Sequence, residues 1–191
     1  MPRSRQANQL RVIAGTWRGR KLSFPDVAGL RPTPDRVRET LFNWLAPVLP
    51  GARCLDLFAG SGALGFEAAS RGAGVVVLVE RDTQVVAQLR AHVTLLAAMQ
   101  VQVVAAEALN YLAGSAQPFD IVLLDPPYDR PELLAVCCTQ LEAGGWLAPQ
   151  ARIYLETRGK IGLPPLPGNW QLLRNKQAGQ VAYHLAVRAS M

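Results

Sequence analysis

Three short apolar runs, each closed by a carboxylate, constrain this chain more than anything else in it. Residues 54–58 carry Asp56 near their end, residues 75–79 end in Glu80, and residues 121–124 end in Asp125. Short apolar runs bounded by turn signals read as buried strands. A fourth run, 101–105, leads into Glu107 and Ala108. Between the runs, residues 63–71, 82–98, 107–113 and 131–142 read as helices. Strands alternating with helices predict an α/β fold, a mostly parallel sheet covered on both faces. A further strand is expected at 153–156. Two last strands, near 170–176 and 180–188, flank Ala178-Gly179 and read as an antiparallel hairpin closing the sheet.

Two of the strand ends carry chemistry. After Leu124 the chain reads Asp125-Pro126-Pro127-Tyr128. Neither proline has an N–H for the ladder, so the chain must turn there. A carboxylate, a free proline carbonyl and an aromatic ring at one turn suit a planar base with an exocyclic amine: two acceptors for the N–H groups and a ring to stack on. Asp-Pro alone would read as a polar strand end. The four residues together read as a site if a donor pocket exists upstream. That pocket is signalled by Gly60, Gly62 and Gly65, which fit G-x-G-x-x-G after a strand, a pattern shared with nicotinamide and flavin enzymes. Asp56 breaks the tie. A carboxylate before the glycine turn repels a pyrophosphate but suits the cationic amino group of S-adenosyl-L-methionine. Glu80 can accept both ribose hydroxyls. Glu107 and Ala108 are placed to meet the adenine, with Glu107 alternatively the first-turn acid of the next helix. Phe58, beside Gly60, is a candidate border of the cofactor.

The charge distribution adds a polymer. Residues 1–38 hold nine Arg or Lys and two Asp, a balance of +7; residues 39–191 hold eleven and twelve, a balance of −1. A basic N-terminal segment is a footprint for phosphate contacts. Arg3, Arg5, Arg11, Arg18, Arg20, Lys21, Arg31 and Arg38 are its candidates, against the alternative of a solvated tail. For Arg38 an ion pair with Asp35 or Glu39 is an equal alternative. Residues 10–24 read as a basic hairpin, in which Trp17 either stacks on a base or packs. A helix is expected at about 34–46, with Thr33 as N-cap and Pro34 as first helical residue. The division expected is 1–50, a basic extension of hairpin and helix, and 51–191, the catalytic domain. With half its residues hydrophobic, the chain can build a sizeable core. No stretch approaches a membrane span. Met1 to Gln6 lack the apolar segment of a secretory signal, and Cys54, Cys137 and Cys138 form neither a disulfide framework nor a zinc spacing. A cytoplasmic protein without a metal is the expectation. His92 and His184 sit in no catalytic spacing.

Asp56 to Gly62, Glu80 and Asp125 to Tyr128 together resemble the amino-methyltransferases that use S-adenosylmethionine, with their Rossmann-like fold. The N-terminal segments 10–22 (LRVIAGTWRGRKL) and 29–45 (GLRPTPDRVRETLFNWL) narrow this. They resemble the RsmD family of bacterial 16S rRNA guanine-N2 methyltransferases, and the resemblance covers nearly the whole chain. It implies S-adenosyl-L-methionine as cofactor and 16S rRNA, within the assembled or assembling 30S subunit, as partner. With it Asp125, Pro126 and Tyr128 are the expected catalytic residues, and the resemblance places Thr33 and Arg36 at the rim of the cofactor site; cytoplasm and monomer are the default expectations. Glu107 departs from the Asp or Asn common in the wider superfamily. The rival readings are a DNA adenine-N6 or cytosine-N4 enzyme, which needs a target-recognition region absent here, and a protein glutamine methyltransferase, which leaves the basic segment unexplained. A non-catalytic RNA-binding assembly factor is the third. Asp56 and the lack of a hydride-transfer constellation disfavour a nicotinamide dehydrogenase.

Overall fold

The computed structural model describes residues 8–27, 30, 32–159 and 161–189. Its main body is a seven-stranded sheet of order β5-β4-β3-β6-β7-β9-β8. These strands are β3 (Arg53–Asp56), β4 (Val75–Glu80), β5 (Val101–Ala105), β6 (Phe119–Leu124), β7 (Leu147–Arg158), β8 (Trp170–Ala178) and β9 (Val181–Arg188). The first five are parallel, and β9 runs antiparallel to both β7 and β8. The architecture is the expected α/β fold with its closing antiparallel hairpin. The parallel strands read as apolar runs because both faces are covered. One face packs Leu55, Val77, Val122, Leu124 and Leu155 beneath α4 (Ala108–Leu112) and α5 (Glu132–Ala143). The other packs Cys54, Val76, Leu78, Ile121, Leu123 and Tyr154. There α2 (Ala63–Ser70), α3 (Thr83–Leu95), α1 (Asp35–Leu45) and the hairpin of β1 (Asn8–Arg11) and β2 (Lys21–Phe24) lie over the sheet.

The N-terminal elements share the core of the main body. Leu10 faces Leu22 across the β1–β2 pair, and both are buried. α1 buries Val37, Leu41, Phe42 and Leu45 in the same cluster. Burial of each such side chain is worth about 1.5–3 kcal/mol, enough to hold a short hairpin and one helix against the sheet. Polar contacts fix the register. The buried Glu67 carboxylate accepts the Ile13 and Ala14 N–H groups, and the Ser70 hydroxyl accepts the Trp17 N–H and donates to the Ala14 carbonyl. Trp17 packs against the core.

Three expectations need correction. The hairpin strands are shorter than 10–24 suggests, so Arg18 and Arg20 lie in the connecting loop. Pro34, not Thr33, is the N-cap of α1, and no side chain caps it. The strand expected at 153–156 is the middle of twelve-residue β7. Pro149 hides its start. The pairing with β6 shifts register between Phe119 and Ile121, and Gln150 takes φ 61°, so the proline falls at an irregularity where the ladder is interrupted.

Candidate active site

The parallel strands deliver four carboxylates to one edge of the sheet. In the order β4, β3, β6, β7 they are Glu80, Asp56, Asp125 and Glu156. Asp56 pairs with Leu78 and with Leu123, two residues before Glu80 and Asp125 respectively, while Leu124 pairs with Leu155, one residue before Asp125 and Glu156. Side chains alternate along a strand. All four acids therefore project on the same face, the one covered by α1, α2 and the basic hairpin.

Asp56 is buried, and its Oδ2 accepts the Gly65 N–H at 3.0 Å. Its Oδ1 is buried with no hydrogen-bond partner. Burial pushes this carboxyl up to about 7, the Gly65 and Phe58 N–H groups oppose the rise, and Glu80 adds to it. A lone buried acceptor of this kind is costly unless a donor arrives. The turn around it requires glycine. Gly62, N-cap of α2, holds φ +80°, and a Cβ on Gly65 would stand 2.1 Å from Leu78. Glu80 grips the same turn from the next strand: Oε2 accepts the Gly60 N–H, and Oε1 accepts those of Arg81 and Asp82, all at 2.8–2.9 Å. A carboxylate has about four acceptor sites, so Glu80, with three taken, keeps one for a ribose hydroxyl. Phe58 is half-buried at this turn. The orphaned Oδ1 fits the ammonium of S-adenosylmethionine, and the Glu80 carboxylate fits its ribose. Glu107, N-cap of α4, is ion-paired at 3.2 Å with Arg81 and half-exposed; Ala108 beside it is buried.

The neighbouring site is built on the β6 end. Asp125 is partly exposed and accepts the buried Thr33 hydroxyl at 3.4 Å through Oδ2. This contact uses the hydroxyl that the sequence suggested as a helix cap. Tyr128 is half-exposed; its hydroxyl donates to Glu156 Oε1 at 3.1 Å, and the Arg158 guanidinium lies 5.7 Å from its ring centroid. Tyr154 donates to Glu156 Oε2 at 2.8 Å. Burial raises the Asp125 carboxyl well above the carboxylate range, and Glu156 and Asp56 raise it further. Glu156 is also raised by burial, but it receives hydrogen bonds from both tyrosines and from Asp125. Burial thus favours a proton on Asp125, and the two tyrosine hydroxyls favour charge on Glu156. A cleft of about 130 Å³ opens here, walled by Pro126, Pro127, Tyr128, Leu134, Glu156 and Ile161, among others.

Glu156 was not singled out in the sequence, nor was Glu67. Each had a signal. Glu156 closes an apolar run as the other three acids do, and Glu67 is an acid within the otherwise small and apolar helix ALGFEAAS.

The basic candidates divide. Arg11, Arg18, Arg20, Lys21 and Arg36 are exposed. Arg11 stands 3.8 Å from Asp35. Arg38 is overturned as a phosphate contact. It is only 1% exposed, with Nη2 donating to Asp35 and to the Arg11 carbonyl and Nη1 reaching Glu67 at 3.5 Å. It braces α1 and the hairpin against α2, and no phosphate can reach it there. Arg3, Arg5 and Arg31 lie outside the described residues. Among the described residues no cluster of metal ligands and no helix long and apolar enough to cross a membrane occurs. All three cysteines are buried and free. His92 is buried beside Gln88, and His184 sits on β9.

Sheet order, glycine turn and strand-end acids together define an S-adenosylmethionine-dependent methyltransferase. The family model described as Conserved hypothetical protein 95 matches residues 10–187. Ribosomal RNA small subunit methyltransferase D of Escherichia coli (strain K12) is 52% identical over 187 residues, covering 98% of this chain and 94% of that protein. Its counterpart of the same name in Haemophilus influenzae is 46% identical over 181 residues, 93% of each chain. The solved structure of Escherichia coli yhhF is 53% identical, with a TM-score of 0.90 over 96% of this chain and 100% of its own. An RNA methyltransferase from Salinibacter ruber, solved with S-adenosyl-L-homocysteine, shares the fold at 16% identity and a TM-score of 0.62, over 84% of this chain and 95% of its own. The chain belongs to the family of ribosomal RNA small subunit methyltransferase D, as its N-terminal segments suggested.

Proposed function

We propose that the protein methylates the exocyclic N2 amine of one guanine in 16S rRNA, presented by the assembled or assembling small subunit. The observation that carries this reading is the row of acids: one orphaned buried oxygen for a cationic amine, and a hydrogen-bonded carboxyl pair next to it for a neutral one. The cofactor supplies an electrophilic methyl group on a sulfonium. Asp56, Glu80 and the Gly60–Gly62 turn hold it, with Phe58, Ala108, Glu107, Thr33 and Arg36 around it. The remaining work is to bring an amine nitrogen within about 3–3.5 Å of the methyl carbon, in line with the bond that breaks. Asp125 and the Pro126 carbonyl accept the two amine hydrogens and orient a nitrogen whose lone pair is delocalised into the ring. Tyr128 supports the base withdrawn from its stack. As the N–C bond forms and the S–C bond breaks, the amine loses one proton. The Asp125–Glu156 pair, holding one proton and one negative charge, can take it.

Residues 1–50 form the RNA-contacting extension and residues 51–191 the catalytic domain. Exposed Arg11, Arg18, Arg20 and Lys21 lie on the hairpin and its loop, which pack on α2 over the sheet face to which the acids project, and phosphates bound there anchor a folded rRNA surface on that face. Arg3, Arg5 and Arg31 are further candidates by sequence alone. The protein acts in the cytoplasm as a monomer, with no obligate protein partner. Nucleoside mass spectrometry after incubation with S-adenosylmethionine and unmodified 30S subunits, naked 16S rRNA or duplex DNA tests the reading. N2-methylguanosine at one 16S position is the expected product. Methylation of DNA alone, or of no nucleic acid, refutes it.

A further inference from the structure

Glu156 does more than the donor–acceptor needs of an amine require. It is 3% exposed, lies on β7 rather than in the Asp125–Tyr128 turn, and lines the same cleft as Pro126 and Tyr128. The strand register sets it beside Asp125, on the same face. One of its oxygens takes the Tyr128 hydroxyl at 3.1 Å and the other the Tyr154 hydroxyl at 2.8 Å. With Asp125 as third donor, one of its about four acceptor sites remains open. Two fixed tyrosines also lock its rotamer, as a recognition group requires.

The chemistry of the target base says what such an acceptor can select. Guanine presents two adjacent donors on its Watson–Crick edge, the N2 amine and the N1–H. Adenine presents an amine beside an unprotonated N1, which repels a carboxylate. Asp125 and Glu156 are neighbours in the same spacing of one strand to the next, about 4.8 Å. We infer that Glu156 accepts the N1–H of the guanine whose N2 amine is held at Asp125, and thereby makes the site specific for that base. Flipped bases are read in this way, by hydrogen bonds to their Watson–Crick edge. Glu156 receives two tyrosine hydroxyls where Asp125 receives only the Thr33 hydroxyl, so it is the better stabilised acceptor of the two. The role rests on the guanine-N2 reading above and names its specificity determinant.

The test uses 2-aminopurine, which keeps the N2 amine but has no N1–H. Small subunits are reconstituted with 16S rRNA carrying guanine or 2-aminopurine at the methylated position, and kcat/KM is measured on each. Sites built to hydrogen-bond a donor reject the analogue lacking it strongly, by as much as ~10⁴-fold. Wild type should prefer guanine by at least ~100-fold. In Glu156→Gln the amide N–H can donate to an unprotonated N1, so guanine should lose at least ~10-fold, 2-aminopurine should gain, and the preference should collapse. Binding of S-adenosylhomocysteine, measured by calorimetry, should be unchanged and reports that the variant is folded. An unaltered guanine preference in a folded Glu156→Gln overturns the inference. Equal wild-type rates on the two bases overturn it without any variant. Absence of N2-methylation by wild type on either substrate overturns the guanine reading itself, and this role with it.

Discussion

Replacing Asp56 by Asn should make the free enzyme more stable and the cofactor complex weaker, a pair of opposite effects that few other substitutions here can produce. Asp56 is raised by burial from 3.8 to about 7. Between these values the native state binds more protons than the unfolded state, so the native state loses stability as pH rises through this window. Above about pH 7 the loss is complete. The interval corresponds to ~4 kcal/mol, at 1.36 kcal/mol for each tenfold. Asn fills the same space, keeps an oxygen for the Gly65 N–H, and carries no charge. Urea unfolding near pH 8 should therefore show Asp56→Asn more stable by up to ~4 kcal/mol, with the gain vanishing as pH falls toward 4. The ammonium of the cofactor simultaneously loses its counter-charge. Hydrogen bonds between charged groups are worth about 1.5–3 kcal/mol, so S-adenosylmethionine should bind roughly 10- to 150-fold more weakly by calorimetry. Wild-type affinity should rise with pH through the same window, and the variant's should not. A variant less stable than wild type at pH 8, or one that binds the cofactor equally well, would refute the assignment of Oδ1 as an acceptor kept empty for a cation.

Asp125→Ala should abolish turnover while cofactor affinity stays nearly intact; equal loss of both would mean that Asp125 mainly holds the fold or the cofactor. Arg38→Met removes the α1 partner of Glu67, which keeps Arg71 at 2.6 Å and the Ile13 and Ala14 N–H groups, and should cost about 1–3 kcal/mol in chemical denaturation, with no direct change in the salt dependence of RNA binding. The triple change Arg18→Ala, Arg20→Ala, Lys21→Ala should leave stability within about 0.5 kcal/mol per site and lower the slope of log K against log salt by as much as ~0.9 for each lost phosphate contact. An unchanged slope in a filter-binding titration would remove the hairpin from the RNA interface.

The strand ends were legible because two local rules coincide there. An apolar run signals burial, and an acid or a proline at its end signals the edge of the sheet. Asp56, Glu80 and Asp125 each satisfy both. Glu156 satisfies them too, yet β7 continues past it to Arg158, so the acid lies inside a strand rather than at a turn. What marks it as part of the site is its neighbour β6, and strand order is a property of topology that periodicity does not carry. Arg38 shows the complementary limit. Its pairing with Asp35 at i−3 is local and was foreseeable as an alternative. Its contacts with Glu67 and the Arg11 carbonyl join segments far apart in sequence, and those contacts are what bury it. Thr33 lost its capping role for the same reason: Asp125, 92 residues away, takes its hydroxyl.

Four acids on one face of one sheet edge are an electrostatic liability that this fold accepts for its chemistry. Glu80 raises Asp56, and Asp56 and Glu156 raise Asp125. The two halves of the site are therefore coupled through charge. A cation held at Asp56 offsets the repulsion that Asp56 exerts on Asp125, and so eases the Asp125–Glu156 pair toward the state that accepts hydrogen bonds from a base. Coupling of this kind is reciprocal: a base that draws on the acceptors of Asp125 and Glu156 must strengthen cofactor binding by the same factor. The row of carboxylates thus favours a complex holding donor and target together over either alone, which is what a transfer requiring both within about 3–3.5 Å demands.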